Sequence, residues 1–246
     1  MKATAFEFRF RMWLIVLLIA LGFWSPWIEV LGWGTRTTAW LWLGFQAGGL
    51  GIRSTSGIVL VTWLALLLAA LGAALRVWGT AYLGAGVVFN RDLKAGQVLA
   101  DGPYRFVRNP LYIGSWFTIA AISALMPPSG AAMVLALLAL FVFRLILSEE
   151  AFLAAKLGEP YQNYLRSVPR LIPMLRTRVP AARQRPQWGR ALLAECFPVG
   201  SLVSFAALSW QYNAYLLERA MLVCFGISLV ARALIAPKAE PAQPAA

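Results

Sequence analysis

The sequence predicts an all-α, polytopic transmembrane helical bundle. It has about six spans, one interfacial or re-entrant segment and a short cytosolic helical cap. Three observations carry this reading. Of 246 residues, 60% are hydrophobic and 13% are charged, against about 25% charged in an average soluble domain. The apolar residues fall in long runs, several of them near the roughly 20 residues that cross a bilayer. The net charge of +12 is concentrated: Arg166 to Arg190 holds seven arginines and no acid. Such a block beside membrane helices marks the cytoplasmic face. It also suits anionic headgroups, so membrane lipids are expected partners and nucleic acid is not.

Taken in order, the first span covers residues 10–31, with Lys2, Arg9 and Arg11 on its inner side and Trp24, Trp27 and Trp33 as an aromatic belt at its outer end. The run is too long for a signal-peptide core, so it reads as a retained helix. Residues 35–56 are Trp- and Gly-rich, and their apolar core is too short to span, so they read as the interfacial or re-entrant segment on the outer side. Residues 57–78 form the next span. A loop over residues 79–108 carries Arg91, Asp92, Lys94 and Asp101.

Asn109 and Pro110 then open a helix running to Met126, with asparagine as N-cap and proline at the first helical position. Pro127 to Gly130 turns the chain, and residues 131–148 return. A hairpin re-emerges on the side it entered. Residues 102–112 and 149–170 therefore face one compartment and can build one site. Beyond it, Glu149 to Leu157 continues as helix, and Gly158 is placed to end it. Pro160 restarts a short helix whose Tyr161, Tyr164, Leu165 and Val168 share a face. Two more spans are expected at 191–210 and 214–235, then a low-complexity tail. The expected organisation is 1–80, membrane helices; 81–175, a core of loop, hairpin and roofing helices; 176–190, a basic linker; 191–236, two added spans; and 237–246, the tail. The protein is thus expected to be multi-pass, with both termini and the site cytoplasmic.

The chain has no histidine and two cysteines, Cys196 and Cys224. That excludes Ser-His-Asp triads, HExxH zinc sites, histidine-ligated haem and a disulfide framework. No metal is expected. Chemistry falls to arginine, glutamate, tyrosine and a cofactor. Arg108, at the mouth of a helix, can fork two bonds onto a carboxylate or phosphate, or simply set topology. Glu149 and Glu150 follow an apolar helix and can hold a cationic group, act as bases, or pair with Arg144 or Lys156. Tyr104, Tyr112, Tyr161 and Tyr164 offer faces to a cation and anchors for an interface. Gly84-Ala85-Gly86 is a GxG with no strand or third glycine to make it a dinucleotide fingerprint.

The joint order of these pieces is more specific than any one of them. Gly102, Tyr104, Arg105, Arg108, Pro110, Tyr112 and Gly114 precede the hairpin. Glu149-Glu150, Leu157-Gly158, Tyr161, Tyr164 and Val168-Pro169 follow it. This order resembles the isoprenylcysteine carboxyl methyltransferase and phospholipid methyltransferase superfamily, over about residues 72–175. Gly84-Ala85-Gly86 resembles a GxG of the phospholipid branch. The family's usual histidine is Asn109 here, which suits a cap or hydrogen-bond donor and not a titrating group.

The resemblance implies an integral membrane enzyme using S-adenosyl-L-methionine. Its cofactor site would draw on Gly102, Tyr104, Arg105, Asn109, Pro110, Tyr112, Glu149, Glu150, Tyr161 and Tyr164. Arg108, Glu149 and Glu150 would be the catalytic residues. The acceptor would be a lipid-like or prenylated molecule entering from the bilayer: a carboxylate oriented by Arg108, or a phospholipid amine deprotonated by Glu149 or Glu150. An NADPH-dependent sterol-type reductase is the rival enzyme class, opposed by the tandem acids. A membrane scaffold or transporter is the non-enzymatic alternative, opposed by the clustering of charge on one face.

Overall fold

In hydrocarbon the backbone must satisfy its own polar groups, so the long apolar runs become helices. The computed structural model of the chain describes residues 2–34, 36–84, 101–177, 179–181 and 184–235. Among them the α-helices are α1 (Ala5–Arg9), α2 (Arg11–Trp24), α3 (Trp27–Val30), α4 (Ala39–Gln46), α5 (Ser54–Leu83), α6 (Pro110–Ser123), α7 (Pro128–Leu157), α8 (Glu159–Ser167), α9 (Trp188–Ala194), α10 (Cys196–Leu208) and α11 (Ala214–Ile235). No strand occurs among the described residues. The expected all-α class is the observed one.

Thr4 and Glu7 form a capping box that starts α1: the Glu7 amide donates to Thr4 Oγ1 (3.2 Å) and the Thr4 amide to Glu7 Oε2 (2.6 Å). Glu7 also accepts from Arg144 Nη2 at 2.9 Å, and Ser148 Oγ donates to the Ala3 carbonyl at 3.0 Å. The start of the chain is thereby tied to α7 one residue short of Glu149. The first span breaks at Ser25, whose left-handed φ of 38° and following Pro26 end α2 before the single turn of α3.

Helix α5 is the central post. It packs along α6 through Gly72 and Gly114, where a Cβ on either would come within 3.0 Å of the other's carbonyl oxygen. Glycine here lets two backbones touch, which is how membrane helices gain close packing. The turn after α6 is fastened by α4: the Ala39 and Trp40 amides donate to the Met126 and Ala124 carbonyls at 2.7 and 2.8 Å. The buried core runs through Ala65, Ala69, Ile122, Val134, Leu138 and Ile146.

Four helical segments are long and apolar enough to cross a membrane among the described residues: Arg11–Val30, Ser54–Leu83, Pro128–Leu157 and Ala214–Leu234. Trp188–Ala194 and Cys196–Gln211 would make a fifth if taken as one span, bent by 75°. The expected count of six is not confirmed. The shortfall is α6, which stops at Ser123 rather than Met126; its 14 residues reach only about 21 Å. The bend has a sequence cause: Pro198 has no N–H to offer the Ala194 carbonyl, so the helix is interrupted at Glu195. Helix α4 has 8 residues and is too short to span, as expected of that segment. The expected loop charges Arg91, Asp92 and Lys94, with Ala85 and Gly86 of the GxG, lie outside the described residues.

Candidate functional site

Three short elements meet where α6 begins and α7 ends. A 3-10 turn over Gly102–Arg105 enters α6, Gly158 (φ +63°) ends α7 as its position suggested, and α8 doubles back beneath. The strap after α8 is laced to the approach of α6: the Arg108 amide donates to the Pro169 carbonyl at 2.9 Å, and the Met174 amide to the Phe106 carbonyl at 3.0 Å. Tyr161, Tyr164 and Val168 pack with Leu153, Leu157 and Met174 to make a small separate core under this end.

Glu150 is the hub. Its Oε1 lies 3.2 Å from Arg108 Nη1 and accepts from Asn109 Nδ2, also at 3.2 Å. Its Oε2 accepts from Arg170 Nε and Nη2 at 3.0 and 2.8 Å. Side-chain exposure grades across the cluster from 8% at Glu150 and 11% at Arg108 to 36% at Arg170. Hydrogen bonding by Glu150 raises the Arg170 pKa above its ordinary value. Glu149, one residue away, points elsewhere and accepts from Tyr112 Oη at 2.9 Å. The tandem acids therefore do different work: one is held by two guanidiniums, the other by a phenol.

The remaining predicted residues sort around this hub. Tyr164 Oη donates to the Tyr104 carbonyl at 2.8 Å, and the Tyr161 and Tyr164 rings lie 5.8 Å apart. Burial raises both of their pKa values, and burial followed by the Glu149 charge raises that of Tyr104. These phenols stay neutral at any ordinary pH. Gly102 takes φ +54° with the Tyr82 ring against it, and Pro110 fills the first position of α6. Arg105 turns away, donating to the Val179 carbonyl and to Thr177 Oγ1 at 3.0 Å each.

Asn109 corrects the sequence reading: it stands at the N-cap of α6 but makes no side-chain cap bond. Its amide goes to Glu150 and to the Arg170 carbonyl at 3.2 Å. The buried carboxylate is the stronger acceptor. The alternative pairing of the acids with Arg144 is also set aside, since Arg144 is held by Glu7.

Sequence reasoning passed over Arg170 as a partner of Glu150, and it missed a second cluster entirely. Arg76 on α5 forks onto Glu195 at the α9–α10 break, Nε to Oε2 at 2.5 Å and Nη2 to Oε1 at 2.8 Å. Thr80 Oγ1 donates to Glu195 Oε1 at 2.6 Å, and Arg76 Nη1 to Ser115 Oγ at 2.5 Å. The available signal was a lone charge in each of two apolar runs, which is costly unless paired.

Beside the hub lies an open cleft of about 810 Å³, lined by Arg108, Arg166, Val168, Met174, Leu175 and Arg176. Two buried polar atoms at this end have no hydrogen-bond partner among the described residues, Arg108 Nε and Tyr104 Oη. Buried polar atoms are rarely left so, and each marks a place where a bound group could be received.

Residues 60–159, which span most of α5, all of α6 and α7 and the first residue of α8, match the family described as phospholipid methyltransferase. This likeness to membrane methyltransferases covers residues 60–159 of the 246. Over 73 residues it is 40% identical to methanethiol S-methyltransferase of Crocosphaera subtropica (strain ATCC 51142 / BH68). That stretch covers 29% of this chain and 28% of that relative's length. No solved structure matches the chain significantly. The family match ends before Tyr161, Arg170 and Glu195, so each arginine–glutamate cluster draws one member, Arg170 or Glu195, from outside it.

Proposed function

We propose that this integral membrane protein is an S-adenosyl-L-methionine-dependent methyltransferase, whose acceptor is a lipid-like or prenylated molecule reaching the site from the bilayer. The observation that carries the reading is convergence. Five polar residues of the family-matched stretch, Arg108, Asn109, Tyr112, Glu149 and Glu150, gather at one end of the α6–α7 hairpin. The residues present fit such a cofactor. Glu149 and Tyr112 suit its ammonium or ribose hydroxyls, the tyrosine faces suit a cationic sulfur, and the unpartnered Arg108 Nε suits its carboxylate.

When bound, S-adenosylmethionine supplies a methyl group activated by a sulfonium leaving group. Everything else falls to the chain. Arg108 and Arg170 are oriented by Glu150, so their charge is fixed before anything binds, which is the economical way to hold an anion. Val168, Met174 and Leu175 offer an apolar side to the same cleft, matching a molecule with one anionic group and a long tail. Tyr164 and the strap exclude water beneath the site. The work is positioning and dehydration rather than proton transfer.

The cationic lining favours an acceptor bearing a carboxylate, as a prenylated cysteine does. A second reading, a phospholipid amine deprotonated by Glu149, is supported by the place of that carboxylate beside the Tyr112 hydroxyl, which donates to it at 2.9 Å. The site would lie on the cytoplasmic side, where the arginine block points. The decisive experiment offers purified protein and labelled cofactor an S-prenylated N-acetylcysteine, phosphatidylethanolamine and methanethiol in turn, with NADPH binding measured alongside. Label is expected in the prenylated acid. Label only in the amine or only in the thiol replaces the acceptor, and binding of NADPH without the methyl donor overturns the class.

A further inference from the structure

The Arg76–Glu195 cluster is set deeper than the Glu150 hub and belongs to neither the motif nor the matched stretch as a whole. Glu195 is almost completely buried, with 1% of its side chain exposed, and Arg76 has 19%. All four of their partners' contacts are internal: Arg76 to Glu195 and Ser115, Glu195 to Arg76 and Thr80. One carboxylate thus ties three elements together, α5, α6 and the broken span. The stem of Arg76 lies in a groove that Gly114 leaves open, since a Cβ there would sit 2.7 Å from Arg76 Cγ. The register between α5 and α6 is set at this point.

Tyr104 rests on the same turn of α5. Gly79 lies between Arg76 and Thr80 on that helix, and a Cβ on Gly79 would come to 3.5 Å from Tyr104 Oη and 2.7 Å from Leu111 Cδ2. The Tyr104 hydroxyl is buried and without a hydrogen-bond partner among the described residues. From below, its carbonyl is held by Tyr164. Tyr104 is thus held at its carbonyl by α8 and packed at its hydroxyl against the turn of α5 that carries the clamp.

We propose that Glu195 is a positioning residue for the methyl-transfer site: delivered by the break between α9 and α10, it locks Arg76 and Thr80 against Ser115 and so fixes the turn of α5 on which the buried Tyr104 hydroxyl rests. The inference rests on the reading of that site given above. A carboxylate from an added span, rather than from the family-matched core, then sets the geometry of the core. It also explains why the span is broken where it is: the interruption at Glu195 brings its side chain in to α5 at this depth, where an unbroken helix would carry it past.

The test uses the full-length protein in nanodiscs with 3-fluorotyrosine placed at position 104. The double variant Arg76→Met with Glu195→Leu removes both charges and keeps apolar volume, an exchange that commonly leaves a buried pair's fold intact. The expected result is a folded protein with cofactor affinity near that of the wild type, a displaced or broadened fluorine resonance, and a single-turnover rate lowered about 10²-fold. A wild-type rate in the folded double variant overturns the proposal, whatever the resonance does. If the double variant does not fold, Thr80→Val and Ser115→Ala carry the test, since each removes one hydroxyl from the clamp. Each is then expected to slow turnover several-fold and to move the resonance, and no change in either readout overturns the proposal. Should the unmodified protein bind no methyl donor, the functional reading fails by itself. The fluorine resonance then decides whether the clamp positions Tyr104.

Discussion

Two arginine–glutamate clusters lie at the same end of the bundle, and they are built to different ends. Glu150 holds two arginines at the mouth, one of them 36% exposed, and its hydrogen bonds lie between 2.8 and 3.2 Å. Glu195, deeper in and 1% exposed, is forked by Arg76 and bonded by Thr80, with contacts between 2.5 and 2.8 Å. The first has an unpartnered Arg108 Nε and an open cleft beside it. The second is closed on itself. A partly hydrated cluster can exchange a partner for a ligand at modest cost, whereas a buried saturated one cannot, because any loss leaves a charge without compensation. The contrast teaches that the same pair of residue types is a binding device at the mouth and a fastener inside.

Breaking the inner cluster should have the largest effect on stability. Glu195→Gln leaves Arg76 uncompensated and should destabilise the protein by about 3–5 kcal/mol, read as a lowered unfolding midpoint in detergent. The same change at Glu150 should cost less, about 1–3 kcal/mol, because Arg170 can turn to water. Equal losses at the two sites would dissolve the comparison.

Activity should order the clusters the other way for single changes at the mouth. Arg108→Ala should lower methyl transfer by about 10²-fold or more while the protein stays folded, and Arg108→Lys should rescue little, because one ammonium cannot reproduce the fork. Near-normal turnover in both variants would reduce Arg108 to a topology residue.

Glu149→Gln sharpens the acceptor. If Glu149 holds the cofactor, its Kd should rise about tenfold, close to 1.4 kcal/mol. The rate at saturating cofactor should then recover and vary little with pH near neutrality. A large fall in single-turnover rate at unchanged affinity would move the acceptor to an amine.

The smallest effect concerns the tether that brings the start of the chain beside the site. Hydrogen bonding from Arg144 holds the Glu7 carboxyl down to about 2 from its ordinary 4.5. A depressed folded-state pKa means the contact's stabilisation is present above about pH 4.5 and is lost as pH falls toward about 2. Hydrogen exchange of residues 3–9 should speed up over that window in the wild type. In Glu7→Gln it should already be fast at neutral pH. The same exchange rate in both proteins at pH 7 would show that the tether does not order this segment.

Much of this site was legible because its parts are close in sequence or are carried by a motif. The hairpin alone dictates that Arg108 and Glu150 share a compartment, and the helix stop at Gly158 follows from what glycine permits at positive φ. What sequence reasoning could not supply was partner choice. Asn109 stands where a cap is expected, yet its amide is drawn off by a carboxylate 41 positions away. Tandem acids look equivalent on paper, but successive helical residues point about 100° apart, so Glu149 and Glu150 meet different neighbours.

The sequence by itself determined an all-helical membrane protein, the hairpin that unites the two polar motifs, and the likeness to membrane methyltransferases that those motifs carry. Hydrophobic length, helix signals and a run of motif residues are local properties, readable without knowing what packs on what. The tertiary structure alone decided that Glu150 is a shared anchor and that Glu149 turns to Tyr112. It also decided that Glu195, 119 positions from Arg76, closes on it. Those outcomes depend on which helix faces lie together at one depth of the bundle. Buried charges take whichever partner that depth supplies, because leaving one unpaired costs more than any local preference can offset.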